Sequence, residues 1–147
     1  MTAARILSRK QRDTITIKSS ARISEAIDLL SQNNVGAVVV SDDGRTVAGI
    51  LSERDIVHGF RRSGAALLET DVRDIMTTNI QTCTMADPLR TLLAVMTERR
   101  VRHLPVVEDN QLVGIVSIGD VVKLRLDDLV LEAEALRGYI TGAEYRA

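Results

Sequence analysis

The sequence predicts a mixed α/β protein built from two copies of one β-α-β-β-α unit. The first observation is a heptapeptide, GILSERD at 49–55, that returns as GIVSIGD at 114–120. The second is a set of apolar residues at helical spacing within 23–30 that returns within 89–96. The third is the apolar run AVVV at 37–40, which returns as HLPVV at 103–107, with a polar turn behind each copy. The shared order of these features indicates an internal duplication.

The elements within each copy follow one order: strand, helix, strand, turn, strand, helix. In the second copy, Asp87 before Pro88 is a cap-then-proline start for the first helix. The stretches 56–60 and 121–124, directly behind the heptapeptides, predict the second helices. A unit of roughly 50 residues buries too little surface to be stable alone. We therefore expect the two repeats to pack together as one module.

The repeats divide the chain into five predicted segments. These are an N-terminal segment contributing to the first repeat, the first repeat, a linker, the second repeat, and a C-terminal amphipathic helix with a tail, at 1–13, 14–62, 63–79, 80–125 and 126–147. The last segment carries apolar residues on one helical face: Leu126, Leu129, Val130, Ala133, Leu136 and Ile140. Such a face requires a partner, in this chain or in a second copy.

Composition and charge weigh against several classes of protein. The 147 residues are 45% hydrophobic and 27% charged, which is typical of a folded globule. A formal net charge of −1 and only three aromatic residues (Phe60, Tyr139, Tyr145) give little to hold or stack nucleic acid. The single Cys83 cannot form an internal disulfide, and no signal peptide or apolar run of about 18 residues is present. We therefore expect a cytoplasmic protein that does not enter a membrane.

The heptapeptide carries the residue types that a nucleotide requires. Asp55 and Asp120 could each accept hydrogen bonds from two ribose hydroxyls. Ser52 and Ser117, where strand becomes helix, could bind phosphate together with the free amides of the helix N-terminus. An apolar slot for adenine could come from four further residues: Ile50, Ile115, Val35 and Val101. The same Ser-x-x-Asp pattern is also a capping box, and both interpretations can hold at once.

Two such repeats, each with Gly-hydrophobic-x-[Ser/Thr]-x-x-Asp behind its third strand, resemble a pair of cystathionine β-synthase (CBS) domains. The resemblance covers about residues 9–125. It implies a Bateman module, in which the repeats pack with pseudo-two-fold symmetry and form two clefts. It also implies disc-like homodimers and an adenosine-containing ligand, with AMP expected first and ADP, ATP, NAD(H) or S-adenosylmethionine as alternatives.

By this resemblance, each cleft combines the heptapeptide of one repeat with the entry segment and second strand of the other. The residues expected in the first cleft are Lys10, Ile15, Val35, Arg102, His103, Ile115, Ser117 and Asp120. Those expected in the second are Ile50, Ser52, Arg54, Asp55, Thr77, Thr78, Gln81 and Val101.

The first cleft is expected to be the stronger site. Arg102 is a permanently charged, fork-shaped phosphate partner, whereas its counterpart in the first repeat is Gly36. Arg54 could compensate in the second cleft. His103 could be either a phosphate contact or an edge-strand residue.

Catalytic and metal-binding patterns are poor. The chain has two histidines and no paired cysteines, so no metal site is expected. The run GRTVAGILS has Ile50 where a phosphate-binding loop requires lysine. We therefore expect no enzyme activity and no catalytic cofactor.

Three functions remain open at this point. The leading one is a regulatory module that senses adenosine nucleotides and acts on an effector protein in trans. The alternative is a dimerisation or scaffold protein with empty clefts. The least favoured is nucleic-acid binding through a set of basic residues: Arg5, Arg9, Lys10, Arg12, Arg61 and Arg62.

Overall fold

The structure, a computed structural model, describes residues 1–10 and 13–144, with side chains described up to residue 141. Five α-helices and five strands follow one another along this part of the chain: α1 Ala3–Arg9, β1 Thr16–Ile17, α2 Ile23–Asn33, β2 Ala37–Val40, β3 Gly49–Ser52, α3 Glu53–Ser63, α4 Leu89–Arg99, β4 His103–Glu108, β5 Gln111–Ser117 and α5 Ile118–Glu144. Two short 3₁₀ helices, Gly64–Glu69 and Val72–Asp74, lie between the repeats. The predicted mixed α/β class is confirmed.

The duplication extends to the register of the strands. Strands β2 and β3 pair antiparallel in the first repeat, and β4 and β5 pair antiparallel in the second. Equivalent pairs are Ala37 with Ser52 and His103 with Ser117 at one end, and Val40 with Gly49 and Val106 with Gly114 at the other. Strand β1 adds in parallel to β2, whereas its counterpart is a single bridge between Cys83 and Val106. The second repeat therefore has a reduced first strand.

Each repeat has its own buried cluster of apolar side chains. The first-repeat cluster comprises Ile17, Ile23, Ala26, Leu30, Val38, Val40, Leu51, Leu67 and Val72. The second-repeat cluster comprises Ala3, Ile6, Cys83, Leu89, Leu92, Met96, Leu104, Val106, Val116, Val121 and Leu124. The cluster residues of α2 and α4 are at positions that the apolar spacing predicted, because one face of each helix lies against the strands.

Helix α1 belongs in space to the second repeat, although it precedes the first. Ala3 and Ile6 are buried in the second-repeat cluster, and the N–H of Ala3 donates to the carbonyl of Asp87 at 2.9 Å. Conversely, Leu67 and Val72, which precede the second repeat, are buried in the first-repeat cluster. The sequence assigned residues 1–13 to the first repeat as a basic segment. The many basic residues there obscured a short apolar face.

Helix α5 is one continuous helix of 27 residues. The sequence had instead predicted two helices, the second of them beginning at residue 126. Residues 120–137 contain no glycine or proline and are rich in good helix formers, so nothing interrupts the backbone hydrogen bonds. Val121 and Leu124 are buried in the second-repeat cluster, whereas residues 129–141 are all exposed. The second half of α5 therefore carries an apolar stripe that the rest of this chain does not cover.

The glycine of each heptapeptide lies directly against a segment that precedes the other repeat in the chain. A Cβ at Gly49 would lie 2.7 Å from Sδ of Met76 and 3.0 Å from the carbonyl oxygen of Thr77. A Cβ at Gly114 would lie within 3 Å of both methyl groups of Leu7 in α1. Gly49 therefore allows close packing against the backbone of Thr77, whereas the close neighbour of Gly114 is the end of a flexible side chain.

We expect Gly49→Ala to lower the free energy of unfolding by about 1–3 kcal/mol, the usual cost of overpacking. The backbone of Thr77 cannot withdraw easily, because its N–H and carbonyl both bond Ile50, at 2.9 and 3.0 Å. Gly138→Ala is the control, since nothing lies within 4 Å of a Cβ there and alanine favours a helix. Urea unfolding measures both variants, and equal effects would contradict this account of Gly49.

Candidate functional site

One cleft of about 550 Å³ lies where the end of α1, strands β4 and β5 and the start of α5 meet the loop behind α2. We call it the Asp120 cleft. Seven of the eight residues predicted for it line it: Lys10, Ile15, Val35, His103, Ile115, Ser117 and Asp120. The cleft therefore draws on both repeats and on the N-terminal segment.

Asp120 holds two partners at once in this cleft. The N–H of Ser117 donates to Oδ2 of Asp120 at 2.9 Å, and the N–H of Asp120 donates to Oγ of Ser117 at 3.1 Å. Nζ of Lys10 lies 2.6 Å from the same Oδ2 and donates to the carbonyl of Ile115 at 2.9 Å. Within residues 1–10 and 13–144, these hydrogen bonds leave Oδ1 without a donor. Oδ2 thus fixes the helix start and pairs with Lys10, whereas Oδ1 remains available to a further donor.

A second cleft of about 320 Å³, the Asp55 cleft, lies at the start of α3. Six of its eight predicted residues line it: Ile50, Ser52, Arg54, Asp55, Thr77 and Val101. Thr78 and Gln81 do not line it. The chain leaves the cleft after Thr77, which pairs with Ile50, and runs on toward the bridge at Cys83 in the second repeat.

The capping geometry recurs around Asp55 with a different third partner. The N–H of Ser52 donates to Oδ2 of Asp55 at 2.9 Å, and the N–H of Asp55 donates to Oγ of Ser52 at 3.3 Å. Oγ1 of Thr77 donates to the remaining Oδ1 at 3.1 Å. The capping-box interpretation is therefore confirmed in both repeats. Asp55 therefore contacts the neutral hydroxyl of Thr77, whereas Asp120 contacts the ammonium group of Lys10.

Arg102 lines the Asp55 cleft, whereas the sequence placed it in the Asp120 cleft. Its carbonyl accepts the N–H of Ile118 at 2.8 Å, so its backbone does lie beside the Asp120 heptapeptide. Arg102 lines the Asp55 cleft and a shallow groove at the start of α5, whereas His103 lines both clefts.

Arg100 is a second arginine of the Asp55 cleft, and the sequence analysis did not find it. It ends α4 in the left-handed conformation, with φ of 52°, as Asn34 ends α2 with φ of 51°. Arg100 and Asn34 are equivalent when the two repeats are aligned. An arginine where glycine or asparagine usually ends a helix was the sequence signal that could have singled out Arg100.

Comparison with known families decides the classification. The family model of the CBS domain matches twice, at residues 4–62 and 72–127. The chain belongs to the CBS-domain family. Curated relatives that are 33–38% identical to this CBS pair differ in size, and it spans between 32% and 74% of their length. One further relative, an acetyltransferase, is matched over 24% of its length.

Solved CBS-domain structures share the fold. The CBS-domain containing protein ATU1752 of Agrobacterium tumefaciens is 43% identical, with a TM-score of 0.81 over 85% of this chain and 99% of that one. The CBS pair of MJ0100, solved with 5′-methylthioadenosine and S-adenosyl-L-methionine, is 25% identical, with a TM-score of 0.77 over 87% and 98%. PAE2072 of Pyrobaculum aerophilum, solved with AMP, is 26% identical, with a TM-score of 0.72 over 82% and 89%.

His103 lies between the two clefts of this CBS pair and lines both. Burial lowers its pKa below the ordinary value of 6.5, and the charge of Lys10 lowers it further against the opposing effect of Asp120. Both effects favour the neutral form of the imidazole. It can donate one hydrogen bond and accept another, but it brings no positive charge to either cleft.

The basic residues considered for nucleic acid do not form one free surface. Arg9 is paired with Asp127 at 2.8 Å, and Lys10 is paired with Asp120. Arg12 lies outside the described residues. The positive charge of the N-terminal segment is thus partly neutralised within the second CBS repeat.

Metal and membrane features are absent from the part of the chain that the structure describes. No cluster of three or more histidine, cysteine, aspartate or glutamate side chains there is placed to hold a metal ion. No helix there has both the length and the apolar character to cross a membrane. The thiol of Cys83 is buried, which raises its pKa to about 12 and keeps it protonated.

We expect the imidazole of His103 to titrate below pH 6.5 in the folded protein, because burial and Lys10 disfavour its charged form. Two-dimensional NMR of the imidazole carbons measures the pKa, with His58→Gln to assign the signals. Lys10→Met removes the nearby positive charge and should raise the pKa of His103. A pKa that stays unchanged in Lys10→Met would show that this ammonium is not beside His103.

Proposed function

We propose that this CBS pair is a non-catalytic regulatory module that binds an adenosine-containing nucleotide in its clefts. The observation that carries the proposal is the Asp120 cleft, about 550 Å³ in volume, in which a helix N-terminus meets a carboxylate with one oxygen free of protein donors. That volume is within the usual range for small-molecule sites, about 300–1,000 Å³. The AMP, S-adenosylmethionine and methylthioadenosine complexes of similar CBS pairs support an adenosine ligand.

Each part of an adenosine nucleotide has a partner in the Asp120 cleft. Asp120 accepts hydrogen bonds from the ribose hydroxyls through Oδ1, at charge-assisted strength. The hydroxyl of Ser117 and the free amides at the start of α5 bind phosphate, aided by the helix dipole. The apolar walls receive the adenine: Ile15, Val35 and Ile115.

AMP is the first ligand proposed, with ADP, ATP, NAD(H) and S-adenosylmethionine as alternatives that share its ribose. Binding would tie the two repeats together, because both contribute to each cleft. That constraint offers a way to change the surface seen by an effector protein in trans. The proposal of no catalysis is supported by the protonated, buried thiol of Cys83 and by heptapeptide serines that serve as helix caps.

The apolar stripe on α5 supports a homodimer. Six residues lie on it at alternating spacings of four and three: Val122, Leu126, Leu129, Ala133, Leu136 and Ile140. This heptad spacing, sustained along a helix about 40 Å long, is typical of a helix that pairs with another helix. In a parallel pair, Glu132 of one copy would face Arg137 of the other, which is a favourable charge combination. We propose that a second copy of this chain covers the stripe.

The first prediction from this function is stabilisation by ligand. A nucleotide that binds only the folded form at 100 times its Kd adds about 2.7 kcal/mol. For a domain of this size the thermal midpoint should rise by about 4–10 °C. The double variant Asp55→Ala with Asp120→Ala should lose the rise, whereas Asp28→Ala, on the exposed face of α2, should keep it.

The panel for this measurement is AMP, ADP, ATP, NADH and S-adenosylmethionine at millimolar concentration. If none of them moves the midpoint of the wild-type protein, the nucleotide function is wrong. The dimerisation or scaffold function with empty clefts would then replace it.

The second prediction concerns assembly. Leu136→Glu should convert a dimer to a monomer, because it places a charge in the apolar stripe at a residue that is 63% exposed in the single chain. Leu131→Glu is the matched control. Leu131 is equally apolar and 58% exposed on the same helix, but it lies off the stripe. Light scattering measures the mass of both variants, and a wild-type monomer at micromolar concentration would contradict the dimer.

A further inference from the structure

The Asp55 cleft is lined by three arginines, one from the first repeat and two from the connection between α4 and β4. Arg54 lies in the first turn of α3, Arg100 ends α4, and Arg102 precedes β4. Among the described residues, none of the three has a carboxylate oxygen within 4.0 Å. Three arginines without an ion-pair partner among the described residues therefore line one cleft, and an anionic ligand is a suitable partner for them.

The cations of the Asp120 cleft are mostly neutralised by the protein itself. Arg9 is paired with Asp127 at 2.8 Å, and Lys10 is paired with Asp120 at 2.6 Å. Only Lys123 has no carboxylate within 4.0 Å among the described residues. Each cleft thus has its own carboxylate proposed to bind ribose. The two clefts differ in which cations remain without an ion-pair partner and can bind phosphate.

The backbone at Arg100 gives a second, independent reason to regard that side chain as placed for a ligand. Arg100 has φ of 52°, in the left-handed region that favours glycine or asparagine, and its counterpart in the first repeat is Asn34. Helix α4 does not need Arg100 for its dipole, since Arg99 already lies in its last turn. Arg100 thus occupies a backbone position that disfavours arginine, and it lines the cleft.

We propose that the Asp55 cleft selects the longer phosphate chain, that of a nucleoside di- or triphosphate, while the Asp120 cleft takes a nucleotide with one phosphate or none. This inference rests on the proposed nucleotide function and specifies it for each cleft. Guanidinium forks bind phosphate oxygens in pairs, so each added phosphate gains charge-assisted hydrogen bonds in the Asp55 cleft. Glu53 and Asp55 offset two of the three positive charges there, and the free amides of the α3 N-terminus add to the anion site.

The structure thereby reverses the sequence-based ranking of the two clefts for phosphate. That ranking rested on Arg102 beside Asp120. Because Arg100 and Arg102 both line the Asp55 cleft, this cleft has more unpaired cations than the Asp120 cleft, although its volume of about 320 Å³ is smaller. Arg54 belongs to the first repeat, whereas Arg100 and Arg102 belong to the second, so a phosphate chain bound by all three would bridge the repeats.

The test uses full-length protein with one cleft disabled at a time. Asp120→Ala leaves the Asp55 cleft, and Asp55→Ala leaves the Asp120 cleft. Isothermal titration with AMP, ADP and ATP gives the affinity ratio for each variant. We expect ATP to bind at least about tenfold more tightly than AMP in Asp120→Ala, since one added charged hydrogen bond is worth about that factor. In Asp55→Ala the ratio should stay within about threefold, because one unpaired lysine gives less than that gain.

A pair of neighbouring arginines supplies the matched control. In the Asp120→Ala background, Arg100→Ala should remove most of the preference for ATP and change AMP affinity by less than about threefold, because Arg100 contacts only the added phosphates. Arg99→Ala removes an arginine one residue away that does not line the cleft, and it should leave the preference intact. Thermal midpoints of both variants separate a loss of binding from a loss of folding.

The outcomes distinguish this inference from the function on which it rests. If both single-cleft variants bind AMP and ATP with the same ratio, the inference is overturned and the nucleotide function stands. A preference for ATP that appears only in Asp55→Ala also overturns it. If no adenine nucleotide binds the wild-type protein, the function and the inference both fail.

Discussion

The capping box at each strand–helix junction is the interaction on which the rest of the structure depends. A helix N-terminus has backbone N–H groups without partners, and Ser52 and Asp55 in one repeat, or Ser117 and Asp120 in the other, satisfy some of them. The reciprocal bonds hold each carboxylate at a fixed position at the mouth of a cleft. A residue that stabilises a helix is thereby also placed for a ligand, and this is why the same four residues fit both interpretations of the heptapeptide.

The clefts exist because each repeat is completed by a segment that precedes the other. Leu7 packs on Gly114, and Met76 and Thr77 pack on Gly49, so glycine is the residue that allows these segments to approach. The crossing segments then deliver different partners to equivalent carboxylates: Lys10 to Asp120 and Thr77 to Asp55. Two repeats that share one fold therefore produce clefts whose equivalent carboxylates have different partners. This difference supports the proposal that the two clefts bind different ligands.

The sequence predicted the features that depend on local patterns. Apolar spacing located α2 and α4, and the heptapeptide located both helix starts. It did not find α1, because basic residues outnumber the short apolar face of Ala3 and Ile6. It also placed Arg102 in the wrong cleft. The two clefts adjoin at residues 102 and 103, and the tertiary packing there decides which cleft each side chain lines. Helix α5 is continuous because no glycine or proline interrupts it near residue 125. The end of the second repeat at that residue suggested a division that the helix does not have.

We propose that Asp120 and Asp55, fixed by their capping boxes, accept the ribose hydroxyls of an adenosine nucleotide. The most direct measurement is the affinity of the wild-type protein for AMP and for 2′-deoxy-AMP, by isothermal titration at one salt concentration. Loss of a hydrogen bond to a charged group costs about 1.5–3 kcal/mol, so we expect the deoxy form to bind about 10- to 150-fold more weakly. Equal affinity for the two sugars would contradict the claim and leave both carboxylates as helix caps alone.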